Sequence, residues 1–156
     1  MGAPSSRAMP RFACIVNPAG RDGRSLKRWK AAEPALTAAG IEFETHFTEG
    51  VGHASELAHS LRDRDDIDLI VACGGDGTVH EVASGMRGSS KPLGIIPAGT
   101  GNDVARAHGI SLKKIDAIID ILLNGTNRHV GAFRLQGTPA PSEGGYPEPG
   151  NNPLWD

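Results

Sequence analysis

The chain has 156 residues, 38% hydrophobic and 4% aromatic, and 16 Lys and Arg nearly balance 18 Asp and Glu for a net charge of −2. That length fits one domain, with a core resting on Val, Ile, Leu and Ala. The charge balance excludes nucleic acid as a bulk partner, because affinity for a phosphate backbone comes from clustered Lys and Arg. The local group Arg21, Arg24, Lys27, Arg28 and Lys30 suffices for one small anionic ligand.

Cys14 and Cys73 lie in apolar runs without C-x-x-C pairing and read as small buried hydrophobes. No stretch approaches the roughly 20 apolar residues that span a bilayer, and residues 1–10 lack the apolar core of a signal peptide. Gly2 with Ser6 and Asn124-Gly125-Thr126 are chance matches to acylation and glycosylation patterns. The expected location is cytoplasmic.

Residues 1–10 are expected to be a disordered N-terminus. Residues 12–16 read as a buried strand ended by Asn17-Pro18. Ser25 is the expected N-cap of a helix towards Ala39, with Leu26, Trp29, Ala32, Leu36 and Ala39 at helical spacing. Pro34 is expected to bend or restart that helix, and Gly40 to end it. Residues 41–47 alternate as a second strand, and a helix spans 53–64. Residues 68–73 form a third strand whose unbroken apolar run suits a parallel strand covered on both faces. A helix is expected from Thr78 to Met86, a short strand over 93–96 and a helix over 101–108. A last helix over 112–123 should bury Leu112, Ile115, Ile119 and Leu122/Leu123. Residues 130–135 read as one more strand. From Gly137 to Asp156 the Gly- and Pro-rich chain buries too little apolar surface to offset its ordering entropy, so it reads as a disordered tail.

Alternating strands and helices define an α/β domain with a mostly parallel sheet flanked by helices. Ligands of such sheets sit beyond the carboxyl ends of the strands, where every glycine-rich segment falls. Gly74-Gly75-Asp76-Gly77-Thr78 joins a strand to a helix, its glycines allowing backbone N–H groups to approach an anion, with the helix N-terminus behind them. Asp76 is the exception in an anion loop, and organising Mg²⁺-bound phosphates is its natural use. Taken alone, this segment is as readily a tight turn. Pro97-Ala98-Gly99-Thr100-Gly101-Asn102-Asp103 repeats the design one strand on, and Asn102 or Asp103 is placed to cap the following helix. His46, His53, His59, His108 and His129 show no metal-ligand spacing and read as mostly solvated. The mixed charges of residues 62–66 read as a solvated face.

With Asn17-Pro18-Ala19-Gly20-Arg21, these motifs over residues 11–136 resemble the diacylglycerol kinase catalytic family, which includes sphingosine, ceramide and bacterial lipid kinases. The family patterns are N-P-x-S-G, G-G-D-G-T-x-x-E and P-x-G-T-x-N-D. The second is complete here through Glu81, and the third is complete. Arg106 falls where the family usually has Arg. The first loop departs from its pattern, lacking the usual serine or standing one residue short.

The resemblance implies a fold like the N-terminal domain of diacylglycerol and NAD kinases, and an ATP site. That site comprises Asn17, Pro18, Ala19, Gly20, Arg21, Thr48, Gly74, Gly75, Asp76, Gly77, Thr78, Val79, His80, Glu81, Gly99, Thr100 and Asn102. Mg²⁺ is expected with the ATP at Asp76, and Asp76→Ala is expected to abolish phosphoryl transfer with the fold intact. The implied acceptor is a lipid hydroxyl such as that of diacylglycerol, reached by transient contact with a membrane surface.

In the family an aspartate that accepts the hydroxyl proton sits in a following β-rich lobe. The residues after Phe133-Arg134-Leu135 resemble no part of that lobe. The expectation is therefore an ATP-binding lobe, by fragmentation, frameshift or natural truncation, that acts as a homodimer or with a complementing second lobe. A degenerate nucleotide-binding module is the alternative. An NAD kinase-like activity is a further one, against which residues 97–103 argue.

Overall fold

The computed structural model describes residues 9–20 and 23–130. The expectations for residues 1–8, for Arg21, for a strand continuing over 131–135 and for the tail lie outside them; Val130 itself is exposed and in no strand. The elements run β1 (Arg11–Val16), α1 (Arg24–Ala38), β2 (Glu42–Phe47), α2 (His53–Leu61), β3 (Leu69–Gly74), α3 (Asp76–Gly85), β4 (Leu93–Pro97), α4 (Asp103–Ala107) and α5 (Ile115–Asn124).

The four strands form one parallel sheet in the order β2-β1-β3-β4. Side chains alternate between the faces of a strand, so the apolar runs of β1 and β3 feed two cores. Phe12, Cys14, Val16, Val71 and Cys73 meet Trp29 and Leu36 of α1 and Ile118 and Ile119 of α5. Ala13, Ile15, Ile70 and Ala72 meet Ala54, Ala58 and Leu61 of α2 and Val79 and Val82 of α3. Both cysteines are buried and unpaired; burial pushes the Cys73 thiol up to about 12 and raises Cys14 further. β2, at the edge, is only half covered, as its alternating sequence predicts.

Trp29 stands edge-on to Phe43, with ring centroids 5.8 Å apart. This packing decides the course of α1. A proline inside a helix costs about 3 kcal/mol, yet α1 neither stops nor restarts at Pro34. Burial of Trp29, Ala32 and Leu36 on one stripe stabilises the helix by more, at about 1.5–3 kcal/mol for each large apolar side chain. Gly40 ends the helix as expected: the Gly40 and Ile41 N–H groups donate back to the carbonyls of Thr37 and Leu36, with Gly40 at φ +75°.

Several local expectations are corrected. Ser25 does not cap α1; Gly23, left-handed at φ 79°, holds that position, and Ser25 is buried in the first turn. α2 ends at Leu61, short of Arg64. α3 begins at Asp76 rather than Thr78, so only Gly74 and Gly75 remain as strand end and cap. α4 is shorter than expected, and α5 starts at Ile115 with Ile118, absent from the expected face, its most buried residue. Residues 62–66 are not a plain solvated run: Arg64 binds Glu44 and Asp66, and Arg11 reaches the same Glu44.

Candidate functional site

From β1 the sheet grows to β2 on one side and to β3 on the other. The carboxyl ends of β1 and β3 therefore flank the point where connection direction switches, the usual ligand position in an open parallel sheet. A cleft of about 550 Å³ opens there. It is bounded by the segments following β1, β2, β3 and β4, and by the N-terminal turns of α3.

The β3 and β4 segments touch through glycine. A Cβ on Gly99 would lie 2.5 Å from Gly75 Cα, and one on Gly75 would lie 3.2 Å from Gly99 Cα. Backbone blocks both positions, so a larger residue at either must separate the two loops. Asn102 closes the second loop into a ring: the Gly99 N–H donates to its Oδ1 (2.9 Å), and its Nδ2–H donates to the Gly99 carbonyl (2.8 Å). That ring holds Asn102 at φ 51°, a left-handed conformation asparagine tolerates.

Asn102 occupies the N-cap position of α4, but its side chain does not cap the helix, contrary to expectation. The cap comes from Asp76, whose Oδ2 accepts the Asp103 N–H (2.9 Å) and whose Oδ1 accepts the Val104 N–H (3.1 Å). A carboxylate at a helix N-terminus is favourable to its dipole.

Asn17 knits the remaining loops together. Its Oδ1 accepts the Ala19 N–H (3.1 Å) and, more weakly, the Thr48 hydroxyl (3.4 Å), while its Nδ2 reaches Thr78 Oγ1 (3.4 Å). The Thr48 N–H donates to the Val16 carbonyl. The Glu49 N–H donates to His53 Nδ1 (2.9 Å), and the Gly52 N–H to Glu81 Oε1 (2.9 Å). His53 is thus a half-buried acceptor rather than a solvated side chain. Gly75, the N-cap residue of α3, has no side chain with which to hold the leading N–H groups of that helix.

The structure brings Asn17, Ala19, Gly20, Thr48, Gly75, Gly77, Thr78, Glu81, Gly99 and Thr100 together on the cleft wall. It does not bring Pro18, Gly74, Asp76, Val79, His80 or Asn102 to that wall. Val79 is in the core, His80 faces solvent, and Gly74 lies under Thr78, whose Oγ1 is 2.5 Å from where a Gly74 Cβ would be. The wall also includes Glu49, Gly50, Val51, Ala54, Ala98, Gly101 and Ser25. Of these, Gly50-Val51-Gly52 carries a visible signal, a glycine-bracketed turn at a strand end like the other two. Among the described residues lining the cleft there is no Lys or Arg. Nor do the described residues hold a cluster of three His, Cys, Asp or Glu able to bind an ion.

The fold is an open parallel α/β sheet whose two glycine loops converge beside the start of α3, and the comparisons say to which family it belongs. Residues 11–135 match the family model for the diacylglycerol kinase catalytic domain, and the chain belongs to that family. It is 38% identical over 133 residues to the diacylglycerol kinase of Bacillus subtilis (strain 168), covering 83% of this chain and 43% of that one. It is 37% identical over 106 residues to sphingoid long-chain bases kinase 1 of Arabidopsis thaliana, covering 63% of this chain and 14% of that one. The crystal structure of a diacylglycerol kinase from Bacillus anthracis str. Sterne superimposes with a TM-score of 0.63 at 29% identity, over 74% of this chain and 40% of that one. The chain thus spans less than half the length of these relatives. The family is one of lipid kinases, and the α/β fold is theirs.

Proposed function

We propose that the cleft binds ATP and that this domain, residues 11–136, is the phosphate-holding lobe of a lipid kinase. The reaction passes the γ-phosphate to a lipid hydroxyl such as that of diacylglycerol. The observation that supports it most is the meeting of Gly75 and Gly99 beside the uncapped start of α3. That arrangement sets two glycine loops and a helix start around one chain of phosphate oxygens, with the hydroxyls of Thr48, Thr78 and Thr100 beside them, while the Gly99 N–H stays on Asn102. Phosphoryl transfer is catalysed mainly by positioning and by stabilising charge on those oxygens, and donors fixed before the ligand arrives do this best.

Mg²⁺, when bound with the nucleotide, supplies charge neutralisation that the cleft wall, without Lys or Arg among its described residues, does not. Asp76 stands off that wall with both oxygens on α4 amides, so it would hold such a cation only through the acceptor capacity those two bonds leave over. In the transfer itself the lipid oxygen bonds to the γ-phosphorus as the bond to the bridging β–γ oxygen breaks, and ADP leaves. The hydroxyl proton goes to a base that the family resemblance assigns to a second, β-rich lobe.

The domain works from the cytoplasm by transient contact with the membrane that carries its acceptor; none of its described helices is long and apolar enough to cross one.

Two measurements test the reading: equilibrium binding of ATP by this chain, and transfer of labelled phosphate from Mg-ATP to diacylglycerol in mixed micelles. The expected result is binding by the chain alone, and transfer only when the second lobe is supplied. Absence of adenine-nucleotide binding, or efficient conversion of NAD to NADP, would overturn it.

A further inference from the structure

We propose that Glu81 is a positioning residue that sets the 48–52 strap across the mouth of the cleft, and that it needs an acceptor oxygen there rather than a charge. The proposal rests on reading the cleft as a nucleotide site. The strap is thinly held. Its near end is tied to β1 by the Thr48 N–H on the Val16 carbonyl and to Asn17 by the Thr48 hydroxyl. Among the described residues its middle is tied to the start of its own helix, through Glu49 to the His53 ring and the His53 N–H to the Gly50 carbonyl.

Gly50 and Val51 line the cleft, yet Val51 is 87% exposed, so packing does not fix them. The far end turns at Gly52, left-handed at φ 85°. Its N–H meets Glu81 Oε1 at 2.9 Å, the tie that joins the far half of the strap to α3.

A carboxylate on the wall of a site for polyphosphate is electrostatically costly, since like charges repel most where water is excluded. Its presence is accounted for by the Gly52 amide, whose acceptor it is. A hydrogen bond to an ionised acceptor is among the stronger ones, but a neutral amide oxygen at the same place keeps the geometry. Glutamine therefore substitutes for Glu81 in this role, and alanine does not.

The test is equilibrium binding of ATP and of ADP to the full chain, with Mg²⁺ and with EDTA, for wild type, E81A and E81Q. Amide hydrogen exchange over residues 49–53 is followed in parallel. E81A should weaken both nucleotides on the order of tenfold with or without the metal, and should speed exchange at Gly52. E81Q should recover most of the affinity and the protection. If E81Q is as weak as E81A, or if the E81A deficit vanishes in EDTA, the carboxylate acts by charge or through the cation, and the proposal is wrong. If wild type binds no adenine nucleotide, the nucleotide reading fails instead. The exchange data still judge the brace: unchanged protection in E81A would overturn it independently.

Discussion

Asp76 shows how one side chain carries two kinds of meaning. Its place in a Gly-rich phosphate loop argues for Mg²⁺ and for a variant that loses transfer with its fold intact. The structure adds two hydrogen bonds from Asp76 to the first amides of α4, and these change what the variant reports. Removing a cap costs about 0.5–2 kcal/mol. In thermal denaturation, Asp76→Ala should therefore melt several degrees below wild type, and Asp76→Asn, which keeps one acceptor, should fall between them. Transfer activity should be scored only beside those melting curves, because displacement of residues 99–104 alone would impair the cleft. Equal stability of wild type and Asp76→Ala would show that the α4 amides find another partner. Such ties are invisible to local sequence reasoning, since Asp76 and Asp103 are 27 positions apart. Ser25 shows the converse: its residue type suits a helix cap, yet tertiary packing buries it.

Helices and strands were more legible than their ends. Apolar runs located β1, β3 and β4, alternation located β2, and 3.6-residue spacing located α1 and α5, because burial on a sheet leaves those periods in sequence. The start of α3 was hidden because Gly-Asp-Gly is turn chemistry, while here helix geometry continues through it. Ring closure by Asn102 and the Gly75–Gly99 contact left no periodic signal either; the place of both loops at strand carboxyl ends, together with the family resemblance, tied those residues to one site. The contact between α2 and α3 follows the same rule. Gly85 lies against α2 so closely that a Cβ would sit 2.2 Å from the Ser55 carbonyl and 2.8 Å from Ala58 Cβ. Gly85→Ala must push the two helices apart and, as an overpacking change, should cost about 1–3 kcal/mol, read as a lower urea midpoint. The alanine's better helix propensity, worth about 1 kcal/mol, is too small to cancel a backbone clash of that depth. A variant as stable as wild type would mean that the helices slide without penalty.

At the scale of the whole molecule, a group of ion pairs centres on Glu44, which meets Arg11, His46 and Arg64. Burial alone would raise the Glu44 carboxyl, but hydrogen bonds from His46, Arg64 and Arg11 outweigh it and hold the group below the usual carboxylate range. Asp66 is lowered chiefly by Arg64, which is itself raised by Asp66 and Glu44. A carboxyl lowered by folding contributes stability that is present above its unfolded value, about 4.5 for Glu44, and is lost as the pH falls through the folded one. Glu44→Gln should therefore melt below wild type at pH 7, and the gap should close as the pH is lowered through and below the ordinary carboxylate range. A gap independent of pH would assign Glu44 a packing role instead.

The order β2-β1-β3-β4 also has a consequence for how the chain is made. β1 is an interior strand with both faces apolar, yet its partner on one side is remote: Arg11 donates to an Asp68 that is 57 positions later, and Phe12 pairs with Leu69. At synthesis rates of about 5–20 residues per second, β1 waits roughly 3–11 s for that neighbour. Through this interval the edge of β1 that β3 will cover stands open to other chains.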